Sequence, residues 1–392
     1  MLLDIPSSLF GDISTEEFLA EYWQKKPLFV RNAWPGFVSP VTPDDLKSIS
    51  CQDDVEGRLI LEEGGDYPWE LRFGPFDPQE LNELPSSHWA LLVQNMDRLH
   101  PEVGRMLEVV NFLPNWRLDD IMISYAPGAG GVGAHIDNYD VFLLQGSGKR
   151  RWQINSTPVE DVQLIPDLDV SVLLNFEADE EWVVGPGDML YLPPRIAHFG
   201  VALEDCITYS IGCRAPSKEG ILTGFLDHLM STASADETFF SDGNRELSHS
   251  PGAIDAQIKE FARRALTDVL SDDAQFERWL GEHLTEAQYI EPTESASISS
   301  EEINDALATG SRLMARSVSR VAYDRLTSGQ LVLYVSGESI DVPSELEAFV
   351  AALCRQPGIT GTDIPAPGST THDAAVDLLR KLLNDDHFML QK

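Results

Sequence analysis

The run Gly130-Gly-Val-Gly-Ala-His-Ile-Asp-Asn-Tyr-Asp140 places an imidazole and a carboxylate two residues apart. In a strand, side chains alternate between faces, so His135 and Asp137 point the same way. Together they supply two ligands of a metal centre. Of the nine histidines, His198 is the best placed third ligand. It follows Gly187-Asp-Met-Leu-Tyr-Leu-Pro-Pro-Arg-Ile-Ala197, a strand ending in a Pro-Pro turn, which presents the next residues at a barrel mouth. Two imidazoles and one carboxylate leave coordination positions open, as in non-haem Fe(II) oxygenases. An HxD pair alone is weak evidence, because a lone histidine is usually a surface or hydrogen-bonded one. The second run is what makes the set specific.

Arg150 follows the HxD segment and a Gly146-Ser-Gly148 turn. A hairpin here would return the chain beside the HxD strand. A fixed guanidinium in that place can grip a carboxylate in bidentate fashion. Lys149 and Arg151 are rivals, but alternation gives them the opposite face. On Asp120-Ile-Met-Ile-Ser-Tyr125, Asp120, Met122 and Ser124 share a face. Were that face the barrel interior, Ser124 would meet a cosubstrate and Asp120 a cationic substrate. Asp120 reads equally as a charge at a strand edge. Tyr139 stands two residues after Asp137 and so shares its side, where it would wall a pocket or simply pack. Ser210 lies in Cys206-Ile-Thr-Tyr-Ser-Ile-Gly212, one of the last strands of such a barrel.

The elements that would carry these residues fall into three zones. Residues 1–216 contain many short β-like runs separated by Gly and Pro, the signature of an antiparallel sandwich or barrel. A helix capped by Thr15 leads in, with Phe18, Leu19, Tyr22 and Trp23 on one face, and Pro27 ends it. Residues 217–300 turn helical: Ile221, Phe225 and Leu229, then Ile254, Ile258 and Phe261, then Phe276 and Trp279 recur at helical spacing. The polar segment 291–300 reads as a linker. Residues 301–392 mix both types. Two strands, from Ser311 and through Leu331–Val335, surround a turn near Thr327-Ser-Gly329. A capping box at Ser344–Glu347 opens one helix, and a second helix runs from Asp373 through Leu383. Such a module is compatible with a winged helix.

The chain has 392 residues, enough for about two or three domains. With 28 Lys+Arg against 64 Asp+Glu, its net charge is −36. A surface that negative repels phosphate backbones, so direct nucleic-acid binding is not expected. It suits a basic protein partner, or else adapts the surface for solubility or high salt. Four scattered cysteines form no CxxC pair and fit a reducing cytosol. The N-terminus has acids and a proline where a signal peptide needs cations and an apolar run, and no stretch is long enough for a membrane helix. The expectation is a cytoplasmic protein.

Taken together, these motifs resemble the JmjC-type, 2-oxoglutarate-dependent ribosomal oxygenases, also grouped as cupin superfamily 4. The resemblance rests on Phe18–Pro27, Trp116–Ser124, Gly130–Phe142, Gln145–Trp152, Gly185–Pro194 and Tyr209–Pro216. It departs from the family at Ala134, where members commonly carry proline. The resemblance implies a mainly β fold: a double-stranded β-helix (cupin, jelly-roll) catalytic domain, a helical dimerisation region and a C-terminal winged-helix-like α+β domain. It implies Fe(II) on His135, Asp137 and His198, with 2-oxoglutarate on Arg150 and Ser124 and O2 as the second cosubstrate. Guanidinium binding falls on Asp120, with Tyr139, Ser210 and Met122 nearby. The implied reaction is hydroxylation of an arginine Cβ in ribosomal protein L16 by a homodimer. Histidyl hydroxylation and lysyl demethylation are alternatives within the class. A non-enzymatic cupin with a DNA-binding wing is a further one, which the acidic composition disfavours.

Overall fold

The computed structural model describes residues 3–66, 68–232, 239–243, 252–286, 297–316, 319–355 and 358–391. It divides into two compact units, Met1–Ala215 and Pro216–Lys392.

The first unit is built on strands β1 (Leu28–Val30), β2 (Gly57–Leu61), β3 (Glu70–Phe73), β4 (Trp89–Val93), β5 (Leu118–Ala126), β6 (Val141–Ser147), β7 (Arg150–Ile154), β8 (Glu180–Val184), β9 (Met189–Leu192), β10 (His198–Ala202) and β11 (Cys206–Cys213). They form an eight-stranded sheet in the order β1-β9-β6-β11-β5-β4-β2-β3 and a three-stranded sheet in the order β10-β7-β8. All pairings are antiparallel. Two sheets closed over one interior make the expected jelly roll.

The period-2 alternation sets the two faces of the large sheet. Ile121 and Ile123 of β5, Phe142 and Leu144 of β6, and Tyr209 and Ile211 of β11 pack outward against Phe10 and Phe18 of the N-terminal segment. Val141, Leu143 and Leu190 pack inward against Trp152, Ile154 and Val184 of the small sheet. Ala126 and Leu92 likewise meet Ala202 of β10. The central strands are thus covered on both sides, which is why β6 reads as a continuous apolar run. The N-terminal segment is also pinned by a buried charge. The Asp140 carboxylate accepts from the Tyr191 hydroxyl at 2.7 Å, Gln24 Nε2 at 3.0 Å and Arg117 Nη2 at 2.8 Å.

The lead-in helix is Thr15–Glu21, and its cap is Ser14, one residue earlier than expected, whose hydroxyl accepts the Glu17 N–H. Thr15 already has helical geometry there, so Ser14 is the residue free to turn its oxygen back.

The second unit holds helices Lys218–Thr232, Ala256–Val269 and Asp273–Thr285, then Ser300–Ala308, Glu347–Leu353 and His372–Asn384. Its strands are β12 (Arg312–Ala315), β13 (Val321–Arg325), β14 (Leu331–Val335), β15 (Glu338–Val342) and β16 (Phe388–Gln391). Part of the linker segment, residues 291–296, lies outside the described residues; Ser299 caps the helix that follows. The turn near Thr327-Ser-Gly329 does join a hairpin, but its strands are β13 and β14. The strand near Ser311 pairs instead with β16 at the chain's end. The capping box at Ser344–Glu347 does not form. A short 3-10 turn stands there, and Arg325 draws off both side chains, reaching Ser344 Oγ at 3.2 Å and Glu347 Oε2 at 2.8 Å.

Candidate metal centre

His135, Asp137 and His198 converge: one donor atom from each lies within 4.8 Å of the other two. They are the one such His/Cys/Asp/Glu group among the described residues. The HxD segment is not a regular strand. Its backbone touches β10 through a single bridge, with His135 N–H donating to the His198 carbonyl at 3.0 Å and the reverse bond at 2.9 Å. The Arg195 N–H donates to the Asp137 carbonyl at 2.7 Å. The glycines explain the short pairing. A Cβ at Gly130 would stand 2.1 Å from the Trp89 carbonyl oxygen, and one at Gly131 would stand 2.6 Å from that of Gly200. The chain threads between β4 and β10 too tightly for a ladder with side chains.

The two imidazoles are held in one orientation. His135 Nδ1 bonds the Gly133 carbonyl at 3.0 Å, and His198 Nδ1 bonds the Ile196 carbonyl at 2.9 Å. Each ring therefore keeps Nε2 as a lone-pair donor, the tautomer a metal ligand needs. The rings lie 4.1 Å apart between centroids, and His198 Nε2 is 3.6 Å from Asp137 Oδ2. His198 is buried, and burial, then the neighbouring His135, lowers its pKa to about 4. A pair of imidazoles facing one carboxylate is a donor set that fits a divalent transition metal. The Gly-Asp of the second motif has a structural task. Asp188 accepts the Asn32 and Gly185 N–H groups, each at 2.8 Å, and pairs with Arg31, fixing the entry to β9 and so the Pro-Pro turn toward His198.

Arg150 is not beside the HxD segment. The Gly146–Gly148 turn carries the chain from one sheet to the other, and β7 pairs with β10 and β8 rather than with β6. Both routes leave a Gly-Ser-Gly turn, so the sequence alone does not separate them. The face, however, is the inner one. Arg150 is 3% exposed, while Arg151 is half-buried. Among the described residues, the buried Nε and Nη2 of Arg150 have no hydrogen-bond partner. Its guanidinium lies 5.5 Å from the Trp152 ring, which in turn lies 5.8 Å from the His198 ring. Two unsatisfied donors in a fork fit a carboxylate. Across β7 and β10, Ile154 stands opposite His198 and Arg150 opposite Ala202. Four strand residues span about 13 Å.

Asp120, Met122 and Ser124 lie on the inner face, as alternation implies. Ser210 stands opposite Met122, and Thr208 opposite both Ser124 and Gln145. Thr208 Oγ1 donates to Gln145 Oε1 at 2.9 Å. Asp120 Oδ2 accepts the Asn95 N–H at 2.8 Å, and burial raises its pKa. Tyr139 is half-exposed, and burial and then Asp137 hold its phenol above the usual range.

Sequence reasoning missed the turn Asn95–Asp97. β4 pairs with β5 only as far as Val93 opposite Ile123. Beyond that point Asp97 replaces the missing strand, its Oδ1 accepting the Ile121 N–H at 2.9 Å. Burial raises Asp97 to about 7, against the bond from Ile121 and with Asp120's charge adding to it. Nothing in the spacing of these residues signals the role, which depends on where a neighbouring strand stops.

A family model described as a JmjC domain matches residues 105–221, and one described as a ROXA-like winged helix matches 268–389. The chain is 32% identical over 333 residues to the ribosomal protein uL16 3-hydroxylase of Escherichia coli, covering 83% of this chain and 85% of that protein. It is 40% identical over 213 residues to a probable ribosomal oxygenase of Haemophilus influenzae, covering 54% and 52%. Its structure matches that of E. coli YcfD with a TM-score of 0.84 at 28% identity, covering 97% and 99%. The match to YcfD in complex with cobalt and 2-oxoglutarate has a TM-score of 0.82 at 28% identity, again covering 97% and 99%.

Proposed function

The chain belongs to the family of the ribosomal protein uL16 3-hydroxylase, the JmjC-domain ribosomal oxygenases, and from that premise we propose that it hydroxylates an arginine Cβ of ribosomal protein L16. It is a 2-oxoglutarate-dependent ribosomal protein hydroxylase. The finer reading assigns Fe(II) to His135, Asp137 and His198 and the distal carboxylate of 2-oxoglutarate to Arg150, with Ser124 assisting. The chemistry an iron would supply when bound is the coupled oxidation of 2-oxoglutarate to succinate and CO2 and of a C–H bond to an alcohol, with one atom of O2 entering succinate and the other the alcohol.

The protein's own part is to bind and to aim. Nδ1 hydrogen bonds to backbone carbonyls lock both imidazoles with Nε2 turned to the metal position. The Arg150 fork fixes the far end of the cosubstrate, and Trp152 spaces it from His198. An unselective oxidant is directed by placement of its target. Asp120 supplies that placement as a buried anion for a guanidinium, with Met122, Ser210 and half-exposed Tyr139 around it. The observation that carries the reading is the conjunction of the three-residue cluster with the unsatisfied Arg150 fork on one interior.

The −36 charge supports attraction of a basic ribosomal protein over nucleic acid. We assign the helices of residues 217–300 to a homodimer. Leu222, Leu226 and Met230 lie exposed at helical spacing on Lys218–Thr232, which favours that reading. Residues 301–392 are read as a supporting winged-helix-like module. No helix among the described residues is long and apolar enough to cross a membrane, and the cytoplasm is the compartment we assign. The test is mass spectrometry of recombinant L16 after incubation with the enzyme, ferrous iron and 2-oxoglutarate. One added oxygen on an arginine supports the reading; oxygen on a histidine, or loss of a methyl from lysine, refutes it.

A further inference from the structure

Gly212 is the penultimate residue of β11, flanked by Ile211 and Cys213 at no more than 1% exposure. Glycine weakens a strand interior relative to alanine, so such a residue calls for a reason. At several other glycines of this unit the reason is steric. A Cβ at Gly200 would stand 2.5 Å from the Trp152 ring, and one at Gly148 would stand 2.1 Å from the Asp205 carbonyl oxygen. Gly212 has no such steric reason, though it stands where the register of β11 against β5 shifts between Ile211 and Cys213. Its φ is not left-handed, and a Cβ there would meet nothing closer than Asp120 Oδ1 at 3.6 Å, the Asp120 carbonyl at 3.7 Å and Asp119 Cβ at 3.9 Å. These are ordinary contacts, and the fold would accept alanine.

What a side chain would change is access to Asp120. That carboxylate is 8% exposed. Its Oδ2 is taken by the Asn95 N–H, and among the described residues Oδ1 has no hydrogen-bond partner. The free oxygen is the one that faces Gly212. Residue 212 falls on the inner parity of β11, two positions from Ser210, which stands opposite Met122. Asn95 fixes one oxygen of the carboxylate, and the missing side chain keeps the space before the other clear.

We infer that Gly212 is a specificity-determining position, at which the absence of a side chain lets a flat, multi-donor cation, a guanidinium, reach Asp120 Oδ1. This rests on the reading of Asp120 as the substrate anchor. A planar guanidinium needs width at the carboxylate as well as charge, and a single added methyl in a close pocket costs about tenfold or more in discrimination.

The experiment uses the full-length enzyme with Gly212→Ala and Gly212→Val and recombinant L16 as probe. The expected result is a rise in KM for L16 of about tenfold in the alanine variant and on the order of a hundredfold loss of kcat/KM in the valine variant. The KM for 2-oxoglutarate, the melting temperature and its upward shift with Mn2+ plus 2-oxoglutarate should hold. Unchanged kcat/KM for L16 in both variants overturns the inference. So does a parallel fall in melting temperature and in the Mn2+/2-oxoglutarate shift, which would make the residue merely structural. A wild-type enzyme that leaves arginine untouched overturns the functional reading instead, and that outcome is read before any variant is compared.

Discussion

His135 and His198 face each other across reciprocal backbone hydrogen bonds of 3.0 and 2.9 Å, with ring centroids 4.1 Å apart. Two distant stretches of sequence are thereby zipped at the residues that carry the imidazoles. Asp137 joins through its own carbonyl, which accepts the Arg195 N–H. Ligand convergence is thus a property of the backbone, and side-chain substitutions can remove a donor without disturbing the frame.

Replacement of Arg150 tests the cosubstrate end. Lysine keeps the charge but loses the fork, and its ammonium is a single point donor. Arg150→Lys should raise the KM for 2-oxoglutarate about tenfold, and Arg150→Ala should raise it further. The KM for L16 should stay within about twofold in the lysine variant. Succinate release measured against 2-oxoglutarate concentration checks this, and an unchanged value would remove Arg150 from the cosubstrate site.

Asp120 tests the substrate end. Asp120→Asn preserves an acceptor for the Asn95 N–H and removes the charge. Hydroxylation of L16 should fall by about tenfold to a hundredfold in kcat/KM, through loss of a charge-assisted hydrogen bond. The KM for 2-oxoglutarate should not change. Equal loss on both substrates would point to a disturbed barrel rather than a lost anchor.

Asp97 gives a pH dependence of stability. Burial raises its folded pKa from 3.8 to about 7. The folded state therefore holds a proton between about pH 4 and 7 that the unfolded state has released, and stability falls as pH rises through that window. Asp97→Asn keeps an acceptor for Ile121 and cannot ionise. The melting temperature of the wild type should decline relative to the variant between about pH 4 and 7 and run parallel to it above that range. A gap that does not vary with pH would show that Asp97 does not titrate there.

Asp140 tests the anchor of the N-terminal segment. Asp140→Ala strips partners from Tyr191, Gln24 and Arg117, and removing one side of a buried ion pair costs about 3–5 kcal/mol. Tyr191→Phe removes a hydrogen bond to a charged acceptor, about 1.5–3 kcal/mol, and the neutral one its hydroxyl accepts from the Gln24 N–H, about 1 kcal/mol. Urea unfolding should place the alanine variant below the phenylalanine variant, and the reverse order would contradict the anchoring role.

The donor cluster was legible because its chemistry is written in residue types: two histidines and an aspartate at spacings that only convergence explains. The inner parity of Arg150 and of Asp120, Met122 and Ser124 was legible for the same reason, since a side-chain period of two survives any topology. Pairing was less so. Gly146-Ser-Gly148 serves a hairpin and a sheet crossing equally well, so the neighbour of β7 could not be read. Ser344 and Glu347 form the letters of a capping box, yet Arg325, close only in space, takes both. Asn95 acts through its backbone N–H and Gly212 through having no side chain, and neither leaves a mark in composition or period.

The most direct test of the account is tandem mass spectrometry of L16 after aerobic incubation with ferrous iron, 2-oxoglutarate and either the wild-type enzyme or Asp137→Ala. The account predicts one oxygen atom added at an arginine Cβ by the wild type and none by the variant. Oxygenation that survives in Asp137→Ala, or wild-type product carrying the oxygen on any other residue, would contradict it.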